Sequence, residues 1–298
     1  MKSIQEQALN QITIAGKLLD VSINAGKLSD GREYERATAT VRVTHTYFGR
    51  EETSEIPVDM FAAQYTSSGK LNPAYTNLQT LKKLKTAQDY GIEEASSVLF
   101  RKAEIHENNF VNRAGQLVNG WRIRASFVNE NPKQETATFN NEIFIMDMRD
   151  EEDRDGNATG NLIIKGGIVC YGGKLEVLEF VAEQPEVVEY MSRNYEPNQT
   201  VNVVGRIRVT SVEEKKPASE SSWGEDIPDT TTTYVRKLVL TKGDDEPKDE
   251  EFSYDPAEIK KAFNVRKATI EQQQEDARNK TKSTPAATTQ KESKYSWE

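Results

Sequence analysis

Between Tyr34 and Tyr47 the chain alternates with little interruption. Ala37, Ala39, Val41 and Val43 share one parity, while Thr38, Thr40, Arg42 and Thr44 share the other. Successive side chains of a strand point to opposite faces, so this pattern predicts a β-strand with one dry and one wet face. Sheets built from such strands must close on themselves or cover their edges. The cores must also be small, because only 36% of the 298 residues are hydrophobic and 29% are charged. Small barrels meet both demands better than one large α/β core.

One order of elements occurs twice. Residues 12–20, 34–47 and 56–61 read as strands, with Asp30-Gly31 as a hairpin turn and Pro57 marking an edge or bulge. Leu78, Leu81 and Leu84 recur at helical spacing between Asn72-Pro73 and Gly91. Strands resume at 98–105 and 121–128. After the polar stretch 129–135 come strands 142–148, 162–170 and 174–181. A helix follows over 185–194 with Pro185 in its first turn, then strands 201–209 and 234–240. Residues 210–233 are too polar to pack and read as a flexible excursion.

Three strands, a helix and two strands is the order of the OB-fold, a five-stranded Greek-key barrel used to bind oligonucleotides. The expected architecture is mainly β, with two tandem OB-fold barrels, each carrying one helix, over 1–130 and 136–242. An acidic linker over 243–255, a C-terminal helix over 256–279 capped by Asp255, and a disordered tail over 280–298 complete it. Two unrelated β-sandwich domains are the alternative. The C-terminal helix is polar nearly all round, with Ile259, Phe263 and Ile270 as a thin stripe, so it docks lightly or binds a partner.

Net charge is −9, and residues 213–258 hold 14 acidic against 6 basic residues. Composition therefore gives no basic footprint for nucleic acid. Catalytic and metal chemistry is also missing from the pattern. His45, His106 and the single cysteine, Cys170, have no metal-ligand spacing. The acidic stretch from Glu151 imitates a calcium loop but has Leu162 where the twelfth-position glutamate belongs. Gly166-Gly167 and Gly172-Gly173 are not followed by a phosphate-binding helix. No enzyme, metal or cofactor is expected. One cysteine suggests a reducing compartment. No apolar run is long enough for a membrane span and the first residues lack a secretion signal, so cytoplasm is the expected location.

Two stretches carry a family resemblance. Asn10 to Leu18, with Ile12-Thr13-Ile14-Ala15-Gly16-Lys17-Leu18, is similar to the opening barrel strand of bacterial and bacteriophage single-stranded DNA-binding proteins. Thr200 to Arg208, with Val203-Val204-Gly205-Arg206-Ile207-Arg208, resembles the fourth barrel strand of that family. The region from Phe139 to Val181 and the helix after Asp255 look more like phage-encoded members. The resemblance implies a host-cell cytoplasmic protein that binds single-stranded DNA with little sequence specificity. Its role would be to protect or organise that strand in replication, recombination or repair. Cellular members end in an acidic peptide with a hydrophobic tip that recruits replication proteins. This chain instead ends in aromatic Tyr295 and Trp297, and its acidic-aromatic cluster comes earlier, at Phe252 and Tyr254. Those four residues are the candidates for contact with replication or recombination proteins.

Binding a single strand requires cations along the backbone and flat rings for the bases. Candidate cations are Lys17, Arg36, Arg42, Arg50, Arg122 and Arg124 in the first half, and Lys165, Lys174, Arg206, Arg208 and Arg236 in the second. Candidate rings are Tyr34, Tyr47, Phe48, Phe61 and Tyr171. By alternation Trp121 belongs to the core, and Trp223 sits among acids that disfavour a strand. Each arginine also has a plainer reading as part of a solvated strand face. A protein-only assembly role is the rival function, and whether Arg36, Arg42, Arg122 and Arg124 share one face with an aromatic decides between the two.

Overall fold

In the computed structural model, which describes residues 1–47, 49–112, 116–153, 155–215 and 230–283, the alternation becomes two closed rings of strands. The first half contains β1 (Asn10–Lys27), β2 (Glu33–Tyr47), β3 (Arg50–Ala63), α1 (Pro73–Leu81), α2 (Ala87–Tyr90) and β4 (Ser97–Glu107). The two-residue strands β5 (Phe110–Val111) and β6 (Leu117–Val118) and the longer β7 (Trp121–Glu130) complete it. The second half contains β8 (Thr136–Glu152), β9 (Ala158–Cys170), a tight turn (Tyr171–Gly173), β10 (Lys174–Ala182), α3 (Pro185–Asn194), β11 (Thr200–Lys215) and β12 (Thr230–Gly243). The helix α4 (Pro256–Ser283) follows.

Strand pairing closes each ring in the same way. The first runs β1-β2-β3-β7-β4 and returns to β1 through the β1–β4 pairing. The second runs β8-β9-β10-β12-β11 and returns to β8. In both rings the third and last strands pair in parallel, β3 with β7 and β10 with β12, and every other pairing is antiparallel. Closure removes the exposed edges that sheets otherwise carry. It also forces β1 and β11 to pass from one neighbour to another, and a glycine sits at each transfer. A Cβ on Gly16 would stand 2.1 Å from the Arg42 carbonyl oxygen, and one on Gly205 would stand 2.1 Å from that of Val239. These are the glycines of the two stretches that carry the family resemblance.

Inward residues fill the rings, among them Ile14, Phe100 and Ile105 in the first and Phe139 and Phe180, 5.5 Å apart, in the second. β8 joins the rings by pairing with β1 from Asn10↔Asn141 to Ala15↔Thr136 while also pairing with β11. Several elements differ from the sequence expectation. The single helix expected over 73–90 is two, because Thr86 starts a new cap by accepting from the Asp89 N–H. The flexible excursion over 210–233 is partly ordered: β11 and β12 extend as a paired ribbon to Lys215↔Thr230. Four consecutive threonines at 230–233 supply the β-branched chain that such a ribbon favours. Trp223 and the tail from 284 onward lie outside the described residues. Among the described residues, no helix is long and apolar enough to cross a membrane.

Candidate nucleic-acid interface

The wet parity of β2 forms an outer face with its neighbours. Cross-strand register places Arg36 opposite Phe61, Thr38 opposite Asp59 and Arg42 opposite Glu55. The parallel pairing then sets Arg124 of β7 beside Asp59. At the far end of this face the rings of Tyr34 and Phe61 meet with centroids 5.1 Å apart and planes tilted by 41°. Phe61 is 54% exposed, so its ring contributes little to the core and is available as a platform. Gly26 makes room for the pair, since a Cβ there would lie 2.6 Å from the Tyr34 hydroxyl oxygen.

The cations on this face fall into two kinds. Arg36 pairs with Asp59 at 3.1 Å and Arg42 with Glu55 at 2.8 Å. Arg122 and Arg124 make no ion pair among the described residues, and the buried Nε of Arg122 has no hydrogen-bond partner. Burial, followed by repulsion from neighbouring Arg124, pulls the Arg122 pKa below its ordinary value. Asp59 and Glu176 act on Arg122 from a distance, but neither Arg122 nor Arg124 is held in a direct ion pair among the described residues. Arg36, Arg42, Arg122 and Arg124 share one face with an aromatic pair.

The corresponding face of the second ring is closed. Val169, Leu175 and Val177 are buried on the side where α4 packs with Ile259, Ala262 and Phe263. Lys165 lies beneath the helix, its ammonium 5.6 Å from the Phe263 ring centroid. Arg266 anchors the helix to the first ring through a two-pronged ion pair with Glu107, with Nε 2.8 Å from Oε2. Lys174 pairs with Glu176 at 2.8 Å, while Tyr171 is 89% exposed at the turn between β9 and β10. An uncovered positive face is therefore found on one ring.

Other candidates are placed at the junction between the rings. Arg208 pairs with Glu52 at 2.9 Å and Glu183 at 3.0 Å, and lies 4.9 Å from the ring centroid of Tyr47. Tyr47 is buried, not exposed at a loop tip, and its hydroxyl donates to Glu183 at 2.6 Å. Arg206 donates to the Thr46 carbonyl at 2.5 Å. Lys17 donates to the Ala95 carbonyl at 3.0 Å, and Arg50 is exposed at the start of β3. The guanidinium of Arg236 lies 5.9 Å from the centroid of Trp121, which is buried as expected. Phe252 is exposed. Tyr254 is a core anchor: it is buried, its hydroxyl donates to the Glu6 carbonyl at 2.8 Å, and its ring carries the Lys2 ammonium. Phe48, Tyr295 and Trp297 lie outside the described residues.

Folding also gathers His106, Cys170 and Glu176, which sequence spacing kept apart; their donor atoms lie within 4.8 Å of one another. Glu176 is already satisfied by His106 Nδ1 at 3.1 Å, the Lys174 ammonium at 2.8 Å and the Glu107 N–H at 2.9 Å. Burial would raise its pKa, but these partners outweigh burial and hold the carboxyl down to about 2. Burial pushes the Cys170 thiol up to about 12. The group therefore reads as a hydrogen-bonded hub between the rings, with the carboxylate engaged and the thiol protonated. Sequence reasoning singled out neither this hub nor Tyr234, which is 56% exposed on β12. The stripe of Ile259 and Phe263 was the one signal for the docking of α4.

The sequence pattern that defines the YorF family matches residues 8–276. The chain belongs to the YorF family. No curated protein matches it in sequence. Among solved structures, this YorF family member resembles the wild-type single-stranded DNA binding protein from Thermus aquaticus. The TM-score is 0.51 at 11% identity, over 82% of this chain and 95% of that one. A deletion variant of the Thermus protein that also carries a point substitution gives a TM-score of 0.48 at 12% identity, over 82% and 97%. At 11% identity the first likeness is one of fold: the YorF chain has a mainly β fold like that of the Thermus protein.

Proposed function

We propose that the two rings are tandem OB-folds and that the chain binds single-stranded DNA, with little sequence specificity, through the outer face of the first. The observation that carries this reading is the Tyr34–Phe61 pair, with Phe61 exposed and Tyr34 half-buried, on the same face as Arg122 and Arg124, which make no ion pair among the described residues. Stacked rings accept any base, and each stacked base contributes about 1–3 kcal/mol. Unpaired guanidinium groups take phosphates and release counterions from the strand. The Thermus protein of similar fold is a single-stranded DNA binding protein, which supports the same reading.

On this reading, 1–130 and 136–242 are the two OB-fold domains. The protein coats DNA in the cytoplasm during replication, recombination or repair, in a phage or its host, without catalysing a reaction. The acidic stretch between β12 and α4 and the tail are the surfaces for replication or recombination proteins, with Phe252 the exposed ring of the first. Titrating fluorescent oligo-dT at two salt concentrations tests the function. Binding should be tight at low salt and weaken steeply with added salt. The double variant Arg122→Ala, Arg124→Ala should flatten the log–log salt dependence by about 1.4, the share of two phosphate contacts on a single strand. Failure of the wild-type chain to bind at low salt would refute the proposal.

A further inference from the structure

The open face of the first ring continues past the ring itself. β7 starts at Trp121, at the end of the face nearest the second ring, and Arg122 is its next residue. There β11 runs beside the end of β3, where the Val209 N–H donates to the Ser54 hydroxyl at 3.2 Å. Val209 is the cross-strand partner of Arg236, so Arg236 of β12 is carried to the same place and lies over Trp121. Two residues back along the strand stands exposed Tyr234.

We propose that a bound single strand runs from the Tyr34–Phe61 pair past Arg124 and Arg122 and crosses onto the second ring at Arg236 and Tyr234. From there it enters the cleft between β12 and α4. This rests on the first-ring reading above and extends it. Three observations support the path. The route over the Leu175 end of β10 is blocked, because α4 packs there. The β12 side is open, with a cleft of about 700 Å³ lined by Trp121, Tyr234 and Arg236 on one side and Phe263 of α4 on the other, and also by Lys165 and Val177. The charges lining that cleft leave a positive remainder. Glu107 is neutralised by Arg266, Glu179 by Arg149 at 2.9 Å and Glu271 by Lys267 at 3.9 Å. Arg236 makes no ion pair among the described residues. Arg124, Arg122 and Arg236, none in an ion pair among the described residues, thus form a cationic series across the junction, with Tyr34 and Phe61 at one end and Tyr234 at the other.

Length dependence provides the test. The full chain carrying Tyr234→Ala and Arg236→Ala is compared with wild type on oligo-dT of about 8 and about 30 nucleotides, lengths that fall within and beyond the span of one OB-fold. An unchanged thermal midpoint confirms that the variant is folded. The short oligomer should bind within twofold of wild type. The long oligomer should bind at least tenfold more weakly, with a shallower salt dependence. Equal affinity for the long oligomer, or equal loss on both lengths, would overturn the crossing. A different result bears on the first-ring reading: if Arg122→Ala, Arg124→Ala leaves both lengths unaffected, the starting face itself is misassigned.

Discussion

The two rings share strand order, closure and a glycine at a strand transfer, yet their outer faces have opposite chemistry. On β2 and β3 the outward residues include Tyr34, Arg36, Thr38, Thr40, Arg42, Glu55, Asp59 and Phe61, all at least partly accessible. On β9 and β10 they include Gly167, Val169, Leu175 and Val177, all buried. Ring closure dictates only the inward parity, since those residues must fill the barrel. The outward parity is free to specialise. In one ring it is left to water and a candidate strand of DNA; in the other it provides the seat for α4.

The largest expected effect separates stability from binding. Leu175→Ala should cost about 2–5 kcal/mol of folding stability in urea denaturation, because it leaves a cavity between β10 and its cover. Oligo-dT affinity at temperatures where the variant remains folded should stay within twofold. Selective loss of binding would break the contrast between the faces.

A smaller effect concerns the hub that ties the rings together. Glu176 has a folded pKa of about 2 against an ordinary 4.5, so its charged form favours the folded state. That stabilisation is complete above about pH 4.5 and is lost as pH falls toward 2. Glu176→Gln should lower neutral-pH stability by about 1–3 kcal/mol and flatten the acid limb of a stability–pH curve. An unchanged acid limb would show that the hub does not couple the rings energetically.

Phe61→Ala should weaken oligo-dT binding by about 1–3 kcal/mol, the value of one stacked base, and leave the thermal midpoint nearly unaltered because the ring is already in solvent. A drop in stability without loss of affinity would reassign the Tyr34–Phe61 pair to structural packing.

Much of this contrast is present in the residue pattern. The clean alternation of β2 marks a strand with one wet face. β10 reads Leu175-Glu176-Val177-Leu178-Glu179-Phe180-Val181, apolar on both parities, which marks a strand covered on both sides. The stripe of Ile259 and Phe263 on α4 is the matching cover. Other features depend on distance in three dimensions. Arg206 and Arg208 alternate like groove cations, and only the approach of Glu52, Glu183 and Thr46 from distant parts of the chain shows them spent on the junction. Tyr47 follows a regular strand and precedes a turn, so local sequence puts it in solvent; the second ring buries it. His106 and Glu176 lie 70 residues apart, and nothing in their spacing foretells that they meet.

Photo-crosslinking with oligonucleotides carrying 5-iododeoxyuridine tests the central claim most directly, because the reaction favours aromatic side chains in contact with a base. Crosslinked peptides should contain Tyr34 and Phe61, and crosslinking should fall when Phe61 is replaced by alanine. Crosslinks confined to residues 163–181, with none between 34 and 63, would place the strand on the covered ring and contradict the account.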